Sequence, residues 1–279
     1  MTLQTANAPE ARSGLVARFD LARDIAQESG TVALDYFRRR KELTIEVKGG
    51  LQDVVSIADR NVETLIRERI AAAFPDDGIL GEEHGLEESG SGYTWVVDPI
   101  DGTSAFVHGH SNWCVSIALL YKGDLAAGVI RVPCDDETFA AMTGAGATLN
   151  GMPLKLDASM TLQNSLTGIG ANHAIPPERV GALISGLMAA GGNYIRTGSG
   201  AQMLAMVAAG RLAGFHEPSM HAWDCLAGYC LVSEAGGRYR PFPVNGEAIL
   251  ESGPVLAAGP GAFEALSALA DEGEHPGTR

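Results

Sequence analysis

Apolar residues recur at helical spacing near the start of the chain. Leu15, Phe19, Ala22, Ile25, Ala26, Val32, Ala33, Tyr36 and Phe37 fall on one stripe. That stripe predicts an amphipathic helix over 14–40, with Gly30 as its weak point. Leu43 to Val47 alternates like a short strand. After Ser56, Val62, Leu65, Ile66 and Ile70 share one helix face, and Pro75 closes that helix. Residues 78–81 and 94–98 read as short buried strands. The run 113–121 is a strong strand, and Lys122-Gly123-Asp124 turns it back into 125–132 as a hairpin. Asn150-Gly151 marks another tight turn.

Farther along, the two periods alternate. Strands are expected at 166–170, 194–196, 212–216, 237–240 and 255–258. Helices are expected over 177–190, with a proline near its start, and over 202–209, 221–235 and 261–269. The ends, 1–13 and 271–279, read as frayed. Hairpins first, then alternating helices and strands, predict a mixed α+β and α/β chain of layered helices and sheets. Two halves are expected, 14–157 and 158–270, in one compact unit with a soft boundary near 157–163. No internal repeat or low-complexity segment interrupts this pattern.

Composition narrows the function. The chain has 279 residues, 46% of them hydrophobic, enough for a sizeable core. No run approaches the ~18 to 20 apolar residues of a membrane helix. The first twenty residues have no apolar segment after a basic start, so a cytoplasmic protein is expected. The formal net charge of −14 opposes nucleic acid and anionic membranes. It also opposes an anionic substrate, unless cations neutralise the site. Cys114, Cys134, Cys225 and Cys230 form no Cys-x-x-Cys pair and fit no zinc spacing, which predicts buried free thiols in a reducing compartment.

Four acidic strings carry the chemistry. The strongest is Trp95-Val96-Val97-Asp98-Pro99-Ile100-Asp101-Gly102-Thr103. A buried strand ends there on an aspartate, Pro99 forces a turn, and a second aspartate follows three residues on. Both carboxylates can face one point, and the Gly102 and Thr103 amides beyond them can receive phosphate oxygens. Asp-x-x-Asp alone would read as a solvated turn, but the buried approach argues otherwise. Gly81-Glu82-Glu83-His84 follows a short strand and by itself is a polar loop. Asp224, in Glu217-Pro218-Ser219-Met220-His221-Ala222-Trp223-Asp224, is a first-turn helix acid that could also hold a cation. Asp53 and Asp59, downstream of Lys48, are capping acids or site acids with about equal weight.

Oxygen donors without clustered histidine or cysteine favour a hard cation such as Mg²⁺ over zinc. His216-Glu217 and His221 miss the His-Glu-x-x-His spacing by one residue, and Pro218 interrupts a helix there. Neither a Gly-x-Ser-x-Gly elbow nor a Walker A loop occurs. His84, His108, His110 and His173 read as loop or packing residues.

Taken together, Lys48…Asp53…Asp59, Gly81-Glu82-Glu83, the Asp98 to Thr103 string and Trp223-Asp224 resemble the inositol monophosphatase family in order and spacing. Arg196 to Ala201 and Glu234-Ala235-Gly236-Gly237 also fit, so the resemblance spans about 20–258. It implies a sugar-phosphatase-like αβαβα sandwich, a homodimer and Mg²⁺-dependent, lithium-sensitive hydrolysis of a small polyol phosphate. Inositol 1-phosphate leads as substrate. Histidinol phosphate, fructose 1,6-bisphosphate and a 3′-phosphonucleotide are alternatives, as is a transcription-associated binding role on the same fold. By position, Glu82, Asp98 and the Ile100 carbonyl would hold one Mg²⁺, and Asp98, Asp101 and Asp224 a second, with a third, weaker ion near Glu82. Thr103, Asp59 and Glu82 would orient the attacking water, and Gly102 and Thr103 would receive the phosphate. Glu217 would bind substrate hydroxyls, with Ser199, Gly200 and Ala201 also at the substrate. The string Arg196-Thr197-Gly198-Ser199-Gly200-Ala201 departs from the family's Gly-Thr-Ala and Gly-Asp-Cys forms and selects neither inositol nor histidinol phosphate. Two metals can activate a water and stabilise the leaving alkoxide, so no covalent nucleophile is expected.

Overall fold

The apolar run Trp95-Val96-Val97 lies inside an eight-stranded sheet. A computed structural model of the chain describes residues 8–42, 45–47, 54–172 and 175–274. It opens with α1 (Ala8–Arg38), then a hairpin of β1 (Ile45–Val47) and β2 (Val54–Ser56), then α2 (Ile57–Ala73). The large sheet contains β3 (Gly78–Gly81), β4 (Gly85–Glu87), β5 (Tyr93–Asp101), β6 (Cys114–Tyr121) and β7 (Asp124–Val132). It continues through β8 (Glu137–Met142), β9 (Gly146–Leu149) and β10 (Met152–Pro153). Its order is β10-β9-β8-β7-β6-β5-β3-β4, antiparallel except where β3 meets β5. The short helix α3 (Thr103–His108) separates β5 from β6.

A second, five-stranded sheet follows, in the order β12-β11-β13-β15-β14. Its strands are β11 (Leu166–Ile169), β12 (Asn193–Ile195), β13 (Gly214–Met220), β14 (Arg238–Tyr239) and β15 (Gly253–Ala258). Between them run α4 (Pro177–Ala189), α5 (Gly200–Ala208) and α6 (Ala222–Glu234), and α7 (Phe263–Glu274) closes the chain.

The alternation of side chains along a strand builds the layers. Trp95, Val97, Ile117, Leu119 and Val129 meet Ile25 and Ala26 of α1 and Val62 and Ile66 of α2. Their neighbours Val96, Ala118, Leu120 and Ile130 face the opposite way, onto Leu204 and Val207 of α5 and Leu226 and Tyr229 of α6. The same two helices cover Phe215, Val255 and Ala257 of the second sheet. Its other face, with Ile169, Leu256 and Ala258, packs on Leu183 and Leu187 of α4 and Leu266 of α7. Helix, sheet, helix, sheet, helix is the αβαβα sandwich. Among the described residues no helix is long and apolar enough to cross a membrane.

Several boundaries differ from the sequence pattern. α1 starts at Ala8, not near 14, because Pro9 in the first turn needs no N–H partner. α7 runs on to Glu274 through residues expected to fray, anchored by Leu266 and Ala270 in the turns before them. α3, β4 and β8 to β10 were not anticipated; β4, β9 and β10 are too short for a legible period, and a sheet edge supplies their pairing. Pro99 does not end its strand either: β5 continues to Asp101, and β13 likewise continues through Pro218 to Met220.

Candidate active site

Two irregular strands set the site. Along a regular strand, Asp98 and Asp101, three residues apart, would point to opposite faces. The register shows why they do not: Asp98 pairs with Ser116 and Asp101 with Cys114, so three steps on β5 oppose two on β6. The extra residue is a bulge, which restores parity and turns both carboxylates toward α5 and α6. Pro99, which has no N–H to give the ladder, sits inside it. The Ile100 N–H donates to Asp98 Oδ1 at 2.9 Å, and Ile100 packs on the α1/α2 side instead. A second register shift lies between Glu217 and Met220 of β13, again around a proline.

Asp224 completes the cluster from α6. His221 caps that helix, and its N–H donates to Asp224 Oδ2 at 2.9 Å. The His221 ring stacks on Trp223, with centroids 4.5 Å apart. Carboxylate oxygens of Asp98, Asp101 and Asp224 all lie within 4.8 Å of one another. Glu82 stands outside that triad but borders the same cavity, and its charge acts on Asp98 and Asp224. The Thr103 hydroxyl lies 3.1 Å from Asp59 Oδ1 and 3.2 Å from the Ile100 carbonyl, either of which can accept its proton. Gly102 holds a left-handed conformation, φ 95°, as the residue before α3, so the first amides of that helix have no intrahelical partner.

The residues around Ser199 occupy a different place from the one expected. Ser199 and Ala201 are fully buried and do not line the cavity; only Gly200 of that trio does. Ser199 Oγ donates to Asp101 Oδ2 at 2.5 Å and the Ala201 N–H donates to the same oxygen at 2.7 Å. The Cys114 thiol adds a longer contact of 3.7 Å. The start of α5 therefore grips Asp101 through Ser199 and Ala201, and only Gly200 reaches the cavity.

The cavity measures about 590 Å³ and is lined by Glu82, Asp98, Asp101, Asp224 and Glu217, with no lysine or arginine among its described lining residues. Burial pushes the Asp98 carboxyl well above the usual carboxylate range, and the charges of Glu82, Asp101 and Asp224 push it further. Burial likewise raises Asp224, with Asp101 and Glu82 adding to it. Burial raises Asp101 too, opposed by its bonds from Ser199 and Ala201. Glu217 is pushed up to about 7 by burial and by Asp101, against the pull of Arg196 and Asn172. Carboxylates crowded in this way repel one another, and an all-oxygen donor set suits a hard divalent cation. The residues therefore fit such an ion.

Glu63 carries no sequence motif, and nothing in the sequence ties the Cys114 thiol to Asp101. The only signal for Glu63 is its place one helical turn after Asp59 on α2. His216, half of the rejected zinc-like spacing, is a buried packing residue whose Nδ1 lies 2.8 Å from the Val255 carbonyl. Its imidazole is pushed down to about 4, chiefly by burial. Three of the four cysteines are buried and Cys134 is half-buried, all of them free. Lys48, Asp53 and His173 lie outside the described residues.

The sequence pattern of the inositol monophosphatase family matches residues 17–274. A histidinol-phosphatase from Chlorobaculum parvum is 37% identical over 83% of this chain and 90% of its own. An inositol-1-monophosphatase from Mesorhizobium japonicum is 37% identical over 83% of this chain and 88% of its own. The crystal structure of the extragenic suppressor protein suhB from Bartonella henselae superposes with a TM-score of 0.84 at 30% identity, covering 93% of this chain and 99% of that one.

Proposed function

Because the chain belongs to the inositol monophosphatase family, we propose that it hydrolyses the phosphate monoester of a small polyol in the presence of Mg²⁺, with inositol 1-phosphate as the leading substrate. The observation that carries this reading is the meeting of Asp98, Asp101 and Asp224 oxygens within 4.8 Å of one another, all three lining one cavity. Glu82, Asp98 and the Ile100 carbonyl would hold one Mg²⁺, and Asp98, Asp101 and Asp224 a second. Bound there, the ions would offset the carboxylates, draw in the phosphate dianion and acidify a coordinated water.

The chain's own groups then orient the reaction. With its proton given to Asp59, Thr103 Oγ keeps lone pairs that can accept a hydrogen bond from water. That fixes one O–H of the water and leaves an oxygen lone pair free for phosphorus. Glu82 borders the cavity and can accept the water's other proton. Gly102 and Thr103 amides, at the start of α3, would receive phosphate oxygens. Glu217, which lines the same cavity with Asn172, can accept hydrogen bonds from neighbouring hydroxyls of the leaving group. The four free thiols suit a cytoplasmic setting, and a homodimer belongs to the same reading.

A second reading, histidinol phosphate as substrate, draws support from the equal identity to a histidinol-phosphatase and an inositol-1-monophosphatase. One experiment addresses both: phosphate release from inositol 1-phosphate, histidinol phosphate, fructose 1,6-bisphosphate and adenosine 3′,5′-bisphosphate, with and without Mg²⁺. Asp101→Asn removes a charge from the second ion position. Its rate is expected to fall roughly a hundredfold or more, the scale of a preorganised charge-stabilising group. Wild-type turnover in that variant would discard the metal assignment.

A further inference from the structure

α2 carries two fully buried carboxylates one turn apart, Asp59 and Glu63. Asp59 reaches Thr103. Glu63 reaches the other way, to the loop after β3. Its Oε2 accepts the Glu83 N–H at 2.7 Å, and its Oε1 accepts the His84 N–H at 3.2 Å. His84 Nδ1 lies 3.2 Å from the same Oε1. Gly81, at the end of β3, packs so closely on this carboxylate that a Cβ there would overlap it. Arg67 Nε donates to Glu63 Oε1 at 2.8 Å, while its terminal nitrogens reach the Gly85 carbonyl and Glu87. Glu82 is thus flanked on one side by a glycine pressed against Glu63. On the other side, two successive amides are bound to it.

We propose that Glu63 is a positioning residue that sets Glu82 in the cavity, with Arg67 as its counter-charge. α2 then aligns both sides of the proposed water site, Thr103 through Asp59 and Glu82 through Glu63. Two N–H groups and a guanidinium converge on one carboxylate, which needs the acceptor capacity of an ionised acid. A glutamine of the same size offers one oxygen and turns an NH₂ toward a donor. This inference rests on the reading of Glu82 as a metal ligand.

The test is calorimetric titration of the full chain with Mg²⁺ for wild type, Glu63→Gln, Glu82→Gln and the double variant. Amide exchange of Glu83 and His84 is followed alongside, without metal. Glu63→Gln is expected to weaken Mg²⁺ binding by about tenfold to a hundredfold, as loss of a group supporting a metal ligand does, and to speed exchange at both amides. In the Glu82→Gln background the same change should cost nothing further, because its effect passes through Glu82. Unchanged affinity in Glu63→Gln, or losses that simply add in the double variant, would overturn the proposal. Wild-type affinity in Glu82→Gln would overturn it together with its premise, whereas a weakened Glu82→Gln beside an unaffected Glu63→Gln would overturn it alone. Should Glu63→Gln not fold, Arg67→Lys serves instead. Lysine keeps the charge but cannot hold Glu63, Gly85 and Glu87 at once. Its affinity should drop severalfold, and a wild-type value would refute the scheme.

Discussion

Removing divalent cations should make the protein less stable as pH rises, and restoring them should reverse the trend. Glu217 titrates at about 7 in the folded chain against an ordinary 4.5. Its folded form therefore binds a proton more tightly than its unfolded form. The stability this adds is full below about pH 4.5 and is lost as pH climbs through about 7. At about 1.4 kcal/mol per decade the whole difference is worth about 3 kcal/mol. About 2 kcal/mol of it falls between pH 5.5 and 8.5, from the linkage relation. For a chain of 279 residues, that is a fall in Tm of roughly 3 to 4 °C. Asp98, Asp101 and Asp224 are raised in the same direction, so they steepen the slope. Mg²⁺ held as proposed would favour the ionised carboxylates, so its protection should grow with pH. At a hundred times its Kd it would add about 2.7 kcal/mol. The assay is thermal unfolding followed by circular dichroism from pH 5.5 to 8.5, in EDTA and in Mg²⁺. A metal-free Tm that climbs with pH, or curves that coincide in EDTA and Mg²⁺, would refute the claim that burial and mutual repulsion raise these acids and that an ion relieves them.

Two further substitutions separate the roles of buried groups. A Cβ at Gly170 would overlap the Glu217 carboxylate, so Gly170→Ala must displace Glu217. We expect kcat/KM on a polyol phosphate to fall tenfold to a hundredfold, as for a small misplacement of a positioned group, with Mg²⁺ affinity intact. Steady-state kinetics beside Mg²⁺ titration distinguishes this from general damage, and unaltered kcat/KM would remove Glu217 from substrate binding. Asp77 is also buried, but it is bonded to Arg18 at 2.7 Å, Ser91 at 2.6 Å and Trp95 Nε1 at 2.9 Å. Asp77→Ala strands the Arg18 charge and should cost about 3 to 5 kcal/mol in urea unfolding. The Mg²⁺ affinity of the surviving folded fraction should match wild type, and a weakened value would tie this residue to the ion site.

Much of the molecule follows from local rules written along the chain. Apolar spacing at Leu15 to Phe37 and Val62 to Ile70 dictates which faces of α1 and α2 are buried, because helix geometry is periodic and needs no partner to be read. Acid identity at Asp98, Asp101 and Asp224, without histidine or cysteine companions, already selects a hard cation. What the sequence cannot count is residues on a partner strand. The bulge that puts Asp98 and Asp101 on one face exists only because β6 takes two steps where β5 takes three. Nor can it weigh burial, so the rise of Glu217 to about 7 depends on β13 lying inside the sandwich beside Asp101. Ser199 shows the same division. Its hydroxyl looked like a substrate contact in the string, yet it turns inward to Asp101, 98 residues away. A hydrogen bond between remote segments is decided by how layers pack, and packing depends on all the layers together. Local pattern therefore determined the longer elements and the chemistry on offer, and tertiary structure decided the short edge strands, which groups meet and which only support them.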